Sequence, residues 1–205
     1  MPSTSTIRKI GLTGGIGSGK STVGKILHIH RGFALIDSDA ISKSLTAPNG
    51  QAMKEIRTQF GPEFIATDQS MDRVKMRELV FNNPAAKKRL ESIIHPKVLQ
   101  EIEHQLNIAT QTGYGTALID IPLLAESHGR WQARLDGVLV VDCLPQTQVQ
   151  RVMERNGLDQ ESVLKIIASQ APRDTRNALA NWIIFNDSIS LEALESAVLA
   201  LDFKI

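Results

Sequence analysis

Residues 11–22 read Gly-Leu-Thr-Gly-Gly-Ile-Gly-Ser-Gly-Lys-Ser-Thr, and Gly14 through Ser21 satisfy the pattern G-x-x-x-x-G-K-[ST] in full. Glycines at such a turn let the backbone curl until consecutive N–H groups face inward, where they can hold phosphate oxygens. A helix that starts at the same place adds its positive end. Gly14, Gly15, Ile16, Gly17, Ser18, Gly19, Lys20, Ser21 and Thr22 are therefore the candidate contacts to a nucleoside triphosphate. Lys20 can reach the β- and γ-phosphates as a point charge, and the Ser21 hydroxyl is a hard ligand for magnesium. At average residue frequencies the pattern arises by chance in roughly one chain in a hundred of this size. The context here strengthens it: an apolar run enters the loop and Thr22-Val23-Gly24-Lys25-Ile26-Leu27 leaves it with helical character.

Carboxylates and cations complete the chemistry that such a loop can serve. Asp37, Asp39, Asp120 and Asp142 each stand at or just beyond the end of an apolar run, and ligands of open α/β sheets gather at the carboxyl ends of strands. Asp120, closing Ala117-Leu118-Ile119, is read as the acid that holds magnesium directly or through water. Asp37 and Asp39 follow the second run, so one can cap the next helix while the other works. Phosphoryl transfer to a hydroxyl needs a carboxylate to orient the acceptor and take its proton, and Asp39, further from the strand end, is assigned to it. Asp142 is expected to cap the helix that begins near Pro145. The transferring group is highly charged and calls for cations. Arg151, Arg155, Arg173 and Arg176 are at hand; Arg151 and Arg155, four apart on one helix face, are assigned to it. His95-Pro96 is expected to break a helix, and no second histidine lies at zinc-ligand spacing.

The elements that must position these groups follow from the runs themselves. Residues 7–13, 33–37, 116–121, 138–142 and 182–186 are short and nearly all apolar, as strands of a parallel sheet covered on both faces should be. Helical patterns separate them, which gives an α/β fold with right-handed crossovers. The phosphate loop makes it a P-loop NTPase-type five-stranded sheet flanked by helices. Residues 1–40, 113–148 and 179–205 form its nucleotide-binding core. Residues 41–112 are polar, helix-prone and without a strand candidate, hence a helical insertion that binds the acceptor. Residues 149–178 carry arginines and glutamines in a helical pattern broken at Asn156-Gly157 and Pro172, and read as a lid. The last helix starts at Ser190 and should bury Leu191, Leu194, Val198 and Leu201.

Composition narrows the partners. The 205 residues carry 23 Lys+Arg against 22 Asp+Glu, so no global field recruits nucleic acid or an anionic membrane. The single cysteine, Cys143, permits no intrachain disulfide and is expected to be buried and inert. Met1 to Thr6 show no signal core and no run approaches bilayer length, which points to a cytoplasmic location.

Taken together, the loop, Ile36-Asp37-Ser38-Asp39, Ile94-His95-Pro96 and Ile119-Asp120-Ile121-Pro122-Leu123-Leu124 resemble the dephospho-coenzyme A kinase family. Val141-Asp142, Gln148 with Arg151 and Arg155, then Gln170 and Asn186 follow in the family's order, so the resemblance covers essentially the whole chain. It implies transfer of phosphate from ATP, with magnesium, to the ribose 3′-hydroxyl of dephospho-coenzyme A, the last step of coenzyme A biosynthesis. It also implies Lys20 and Asp39 as catalytic groups, and Arg151 or Arg155 at the transferring phosphate. Asp37, Asp39 and His95 fall on the acceptor side. Small-molecule partners only, and a monomer or weak homo-oligomer, go with it. Three positions depart from the family pattern: Ser38 within Asp-Ser-Asp, Ala125 in place of an aromatic residue before Glu126, and Asn181 in place of an acid after Ala180.

Other readings of the same residues are weaker. A nucleoside monophosphate kinase would accept on phosphate and line its insertion with arginines instead of using Asp39. A GTPase would show Asn-Lys-x-Asp and Asp-x-x-Gly, and neither occurs. A nucleotide sensor without catalysis would have lost the lysine, the base or the cations, all of which remain.

Overall fold

A computed structural model of the chain describes residues 6–127, 129 and 131–204. Most of the N-terminal stretch read as lacking a signal core lies outside the described residues. The described chain divides into two compact units, residues 1–36 with 109–205 and residues 37–108.

The first unit is built on five strands: β1 (Arg8–Gly14), β2 (Ala34–Asp37), β3 (Thr116–Asp120), β4 (Gly137–Asp142) and β5 (Trp182–Phe185), in the order β2-β3-β1-β4-β5. β1 pairs in parallel with β3, Ile10 opposite Leu118, and with β4, Ile10 opposite Gly137, while β4 pairs in parallel with β5, Leu139 opposite Trp182. The inner strands behave as the apolar runs predict, and every residue of β4 is buried. The edge strands do not. Leu35 in β2 and Ile183 and Phe185 in β5 are exposed, because an edge strand has a neighbouring strand on one side only.

The helices of this unit are α1 (Lys20–Arg31), then, after the second unit, α6 (Pro145–Asn156), α7 (Gln160–Ser169), α8 (Arg173–Asn177) and α9 (Leu191–Leu199). Between α1 and α6 the chain forms α2 (Ser38–Leu45), α3 (Met53–Phe60), α4 (Arg73–Asn82) and α5 (Pro84–Gln111). α1 packs on β1 and α9 on α1. Ile10 and Leu12, Val23 and Leu27, Leu139 and Val141, Ile184, Leu194 and Val198 join Phe33 and Phe203 in one core. Each fully buried leucine there contributes about 1.5–3 kcal/mol, which is why the loop between β1 and α1 has a rigid base. The chain after α9 closes the end of this core. Trp182 Nε1 donates to the Asp202 carbonyl at 2.9 Å and Arg8 to the Phe203 carbonyl at 2.6 Å.

α1 stops at Gly32, which takes a left-handed φ of 63° and returns its N–H to the Leu27 carbonyl. α6 stops in the same way at Gly157, φ 65°, at the break the sequence marks. α9 starts where expected, with Ser190 Oγ accepting from the Ala193 amide at 3.2 Å. Its buried residues are Leu194 and Val198 only. Leu191 is exposed on the first turn, and Leu201 lies beyond the last turn, half-buried against the core.

The second unit is helical. Its buried side chains include Ile41, Leu45, Ile56, Phe60, Met76, Ile93 and Ile102. Phe60 meets Phe64 edge to face with centroids 6.0 Å apart, and Arg89 stacks over Phe60 at 5.4 Å. Among its described residues the only β pairing is an isolated bridge between Ile65 and Met71. The helix break expected at His95-Pro96 is absent: α5 runs 28 residues straight through Pro96. A proline removes one donor at a cost of about 3 kcal/mol, and a helix with buried residues on both sides of it, Ile93 and Val98, outweighs that.

Candidate active site

The turn between β1 and α1 carries the loop. Gly17 and Gly19 take φ values of 74° and 91°, a region where a side chain would be strained. The reason for the glycines is also behind the loop. A Cβ on Gly14 would strike the Val141 carbonyl of β4, one on Gly17 would lie 2.9 Å from the Gln148 carbonyl of α6, and one on Gly19 would strike the Asn186 amide. The loop is seated directly on the ends of β4, α6 and β5.

Three donors fix it there. Gln148 Nε2 donates to the Ile16 carbonyl at 2.6 Å, Arg151 to the Gly17 carbonyl at 3.3 Å, and Asn186 Nδ2 to the Ser18 carbonyl at 2.8 Å. With three successive carbonyls drawn outward, the peptide planes turn their N–H groups the other way. The amides of Gly17, Gly19, Lys20 and Ser21 have no acceptor among the described residues; the last two open α1, whose first amides lack partners within the helix. That concavity of donors suits an anion. The Ser18 hydroxyl is buried on the side of Gly14, without a partner among the described residues.

Lys20 and Asp120 form an ion pair, with side chains only 15% and 12% exposed. The carboxylate sits at the end of β3, next to the loop strand in the sheet, so the parallel register brings it to the lysine.

The four arginines take different positions. Arg151 donates to the Gly17 and Asn186 carbonyls, the latter at 3.1 Å, and so stands at the loop. Arg155, one turn on, is exposed and bonded through Nε to Asn156 at 2.9 Å; it is not among the loop's partners. Arg173 is held by Asp142, Nε at 2.9 Å from both oxygens and a terminal nitrogen at 2.6 Å from one. That hydrogen-bonded carboxylate pushes the Arg173 pKa up. Asp142 therefore does not cap the helix at Pro145, as the sequence reading expected. The cap position there is Leu144, and its amide is taken by Asp187 at 2.9 Å. Arg176 is buried, donates to the Ala171 carbonyl at 2.5 Å, and places its other terminal nitrogen 2.9 Å from where a Gly15 Cβ would stand. The sequence assigns the cationic role to Arg151 and Arg155, and only folding shows Arg176 against the loop.

In the second unit, Asp37 caps α2, accepting from the Ala40 amide at 2.9 Å. Asp39 follows in the first turn, exposed and without a hydrogen bond or ion pair among the described residues. His95 is half-buried in α5 and has an interaction partner. Cys143 is buried, and desolvation pushes its thiol up to about 11, as an inert core thiol requires.

A family model described as dephospho-CoA kinase matches residues 8–192. The chain belongs to the dephospho-CoA kinase family. Members of that family use ATP to phosphorylate dephospho-CoA in the last step of coenzyme A biosynthesis. The dephospho-CoA kinase of Albidiferax ferrireducens is 53% identical over 91% of this chain and 87% of its own length. Among solved structures, a Thermus thermophilus protein, TT1252, superposes with a TM-score of 0.81 at 34% identity, covering 95% of each chain. The dephospho-CoA kinase of Campylobacter jejuni superposes at 0.67 with 26% identity over 93% of each.

Within that family frame the departure at Asn181 has a structural explanation. Asn181 gives its amide to the Val138 carbonyl and accepts the Val138 amide on Oδ1, both at 2.9 Å, which aligns β5 with β4. An aspartate would accept the same N–H. Asn181→Asp is expected to change stability by less than about 0.5 kcal/mol. Asn181→Leu, which strands the Val138 amide, should cost about 1–2 kcal/mol in urea unfolding with an unchanged m value.

Proposed function

We propose that this chain transfers the γ-phosphoryl group of ATP to the ribose 3′-hydroxyl of dephospho-CoA, releasing coenzyme A and ADP. The observation that carries the reading is the loop itself: three outward-clamped carbonyls, inward amides and Lys20 set against Asp120.

The backbone from Gly14 to Thr22 would bind the triphosphate, with Lys20 on the β- and γ-oxygens. The donor set suits magnesium, since a hydroxyl and a carboxylate are hard oxygen ligands and the ion usually completes its shell with substrate phosphates and water. Ser21 and Asp120 would hold it; no group of three or more acidic, histidine or cysteine side chains among the described residues competes as a cage. Bound there, magnesium supplies charge neutralisation at the phosphates. Asp39 would orient the acceptor hydroxyl and take its proton. Its exposure and its lack of a partner among the described residues support that role, while Asp37 is already engaged as a cap. The second oxygen of Asp37 and the ring of His95 are assigned to acceptor binding. Arg151 or Arg155 would meet the charge on the transferring group, and Arg151 already stands at the loop.

We assign the insertion at 41–112 to the acceptor and the segment 149–178 to a lid. A cytoplasmic monomer or weak homo-oligomer that engages neither nucleic acid nor membrane fits these substrates. Among the described residues no helix is long and apolar enough to cross a membrane.

The test is ADP release from ATP and magnesium with and without dephospho-CoA, with product mass checked for one added phosphate. Acceptor-dependent turnover with that mass is the expected result. ATP binding without it discards the acceptor and leaves only the nucleotide site.

A further inference from the structure

The junction between α7 and α8 is tied to two other parts of the first unit by one hydrogen bond each. Gln170 Oε1 accepts the Ile16 amide at 3.0 Å. Gln148 takes the Ile16 carbonyl, so the residue at the top of the phosphate loop is held through both of its backbone groups by side chains. The next residue, Ala171, gives its amide to Glu126 Oε1 at 2.7 Å and its carbonyl to Arg176. Glu126 lies in the short turn Ala125–Ser127, six residues beyond Asp120. Its other carboxylate oxygen is buried with no partner among the described residues.

A half-buried carboxylate spent on a single backbone amide is a poor stabiliser, since a neutral acceptor would serve at a smaller desolvation cost. What the contact does accomplish is geometric. Fixing the Ala171 peptide fixes Gln170 on one side and the Ala171 carbonyl on the other. The first sets the Ile16 amide and the second sets the buried guanidinium of Arg176 beside Gly15.

We propose that Glu126 is a positioning residue, coupling the turn after β3 to the apex of the phosphate loop through Ala171, Gln170 and Arg176. It touches neither the nucleotide nor the acceptor, and it acts by setting the peptide plane of Ile16 and the place of Arg176. The kinetic part of this proposal rests on the phosphoryl-transfer reading above; the coupling itself does not.

Two measurements on Glu126→Ala, Glu126→Gln, Gln170→Ala and the double variant Glu126→Ala with Gln170→Ala test it. In the ligand-free protein, hydrogen exchange of a peptide spanning residues 14–19 should quicken about tenfold in Glu126→Ala and in Gln170→Ala. It should stay near wild type in Glu126→Gln, which keeps an oxygen for the Ala171 amide. In turnover assays Glu126→Ala should lose about tenfold or more in kcat, with KM for dephospho-CoA within twofold. The double variant should be no slower than the slower single one, because both act on one linkage. Unchanged loop exchange in Glu126→Ala overturns the coupling, whatever Gln170→Ala does. So does a fully multiplicative loss in the double variant, and so does Glu126→Gln behaving like Glu126→Ala, which would make Glu126 act through its charge. Exchange reads the linkage even if the wild type fails to turn over dephospho-CoA, so the two readings fail separately. If Glu126→Ala does not fold, Gln170→Ala and Glu126→Gln decide alone.

Discussion

Lys20→Ala is expected to lower kcat by about a thousandfold or more while the protein still unfolds in one cooperative step. The magnitude is that of removing one preorganised donor from a transition state that spreads charge over the equatorial phosphoryl oxygens. The structure adds a reason that the lysine cannot be replaced from nearby. Of the four candidate arginines, Arg173 is held by Asp142 and Arg155 is turned toward Asn156. Arg151 and Arg176 are engaged with backbone carbonyls. Among the described residues none of these four forms an ion pair with Asp120. The loss of the ion pair with Asp120 should cost no more than about 3 kcal/mol, because both side chains remain partly reachable by water. Lys20→Arg should rescue little: a planar fork cannot take the place of a compact ammonium in a cradle shaped by backbone amides. Single-turnover kinetics and a urea melt on the same preparations check both statements. A Lys20→Ala variant with near-normal turnover would remove the lysine from the phosphate site.

Much of this arrangement is legible before folding because it depends on short-range sequence. The loop motif, the five apolar runs and the Asp37 cap are each set by residues within a few positions of one another. What the sequence could not display are partnerships made across long separations. Gln148 reaches Ile16 across 132 residues and Asn186 reaches Ser18 across 168, and nothing in a glutamine or asparagine announces a carbonyl partner. Asp142 misled for the same reason. Its nearest use in sequence is as a cap, but Arg173, 31 residues on, offers a bidentate partner that a cap cannot match. The four arginines look alike in sequence, and only tertiary partners sort them. Pro96 misled in the opposite sense, because a local rule gave way to the packing of a long helix with buried residues on either side of it.

Asp39→Asn should lower kcat by about a hundredfold to a thousandfold while leaving the affinity for ATP within a few-fold of wild type. A hydroxyl acceptor must lose its proton as the new P–O bond forms, and a positioned base contributes about two to four orders of magnitude to such a step. Asparagine keeps the shape and removes the basicity. The local structure makes the substitution clean. Asp37, not Asp39, accepts the Ala40 amide that starts α2, so the helix keeps its cap when Asp39 changes. Asp39 itself is exposed and makes no ion pair among the described residues, so no partner is left stranded. Asp37→Asn is the matched control: it keeps an oxygen for the cap and should lose far less kcat than Asp39→Asn. Pre-steady-state measurement of the chemical step, alongside ATP titration by fluorescence or calorimetry, separates the outcomes. A large fall in the chemical step alone identifies the base. Equal falls in rate and in ATP affinity would move Asp39 to the metal or to the framework, and Asp37 would then be the carboxylate to examine for proton transfer.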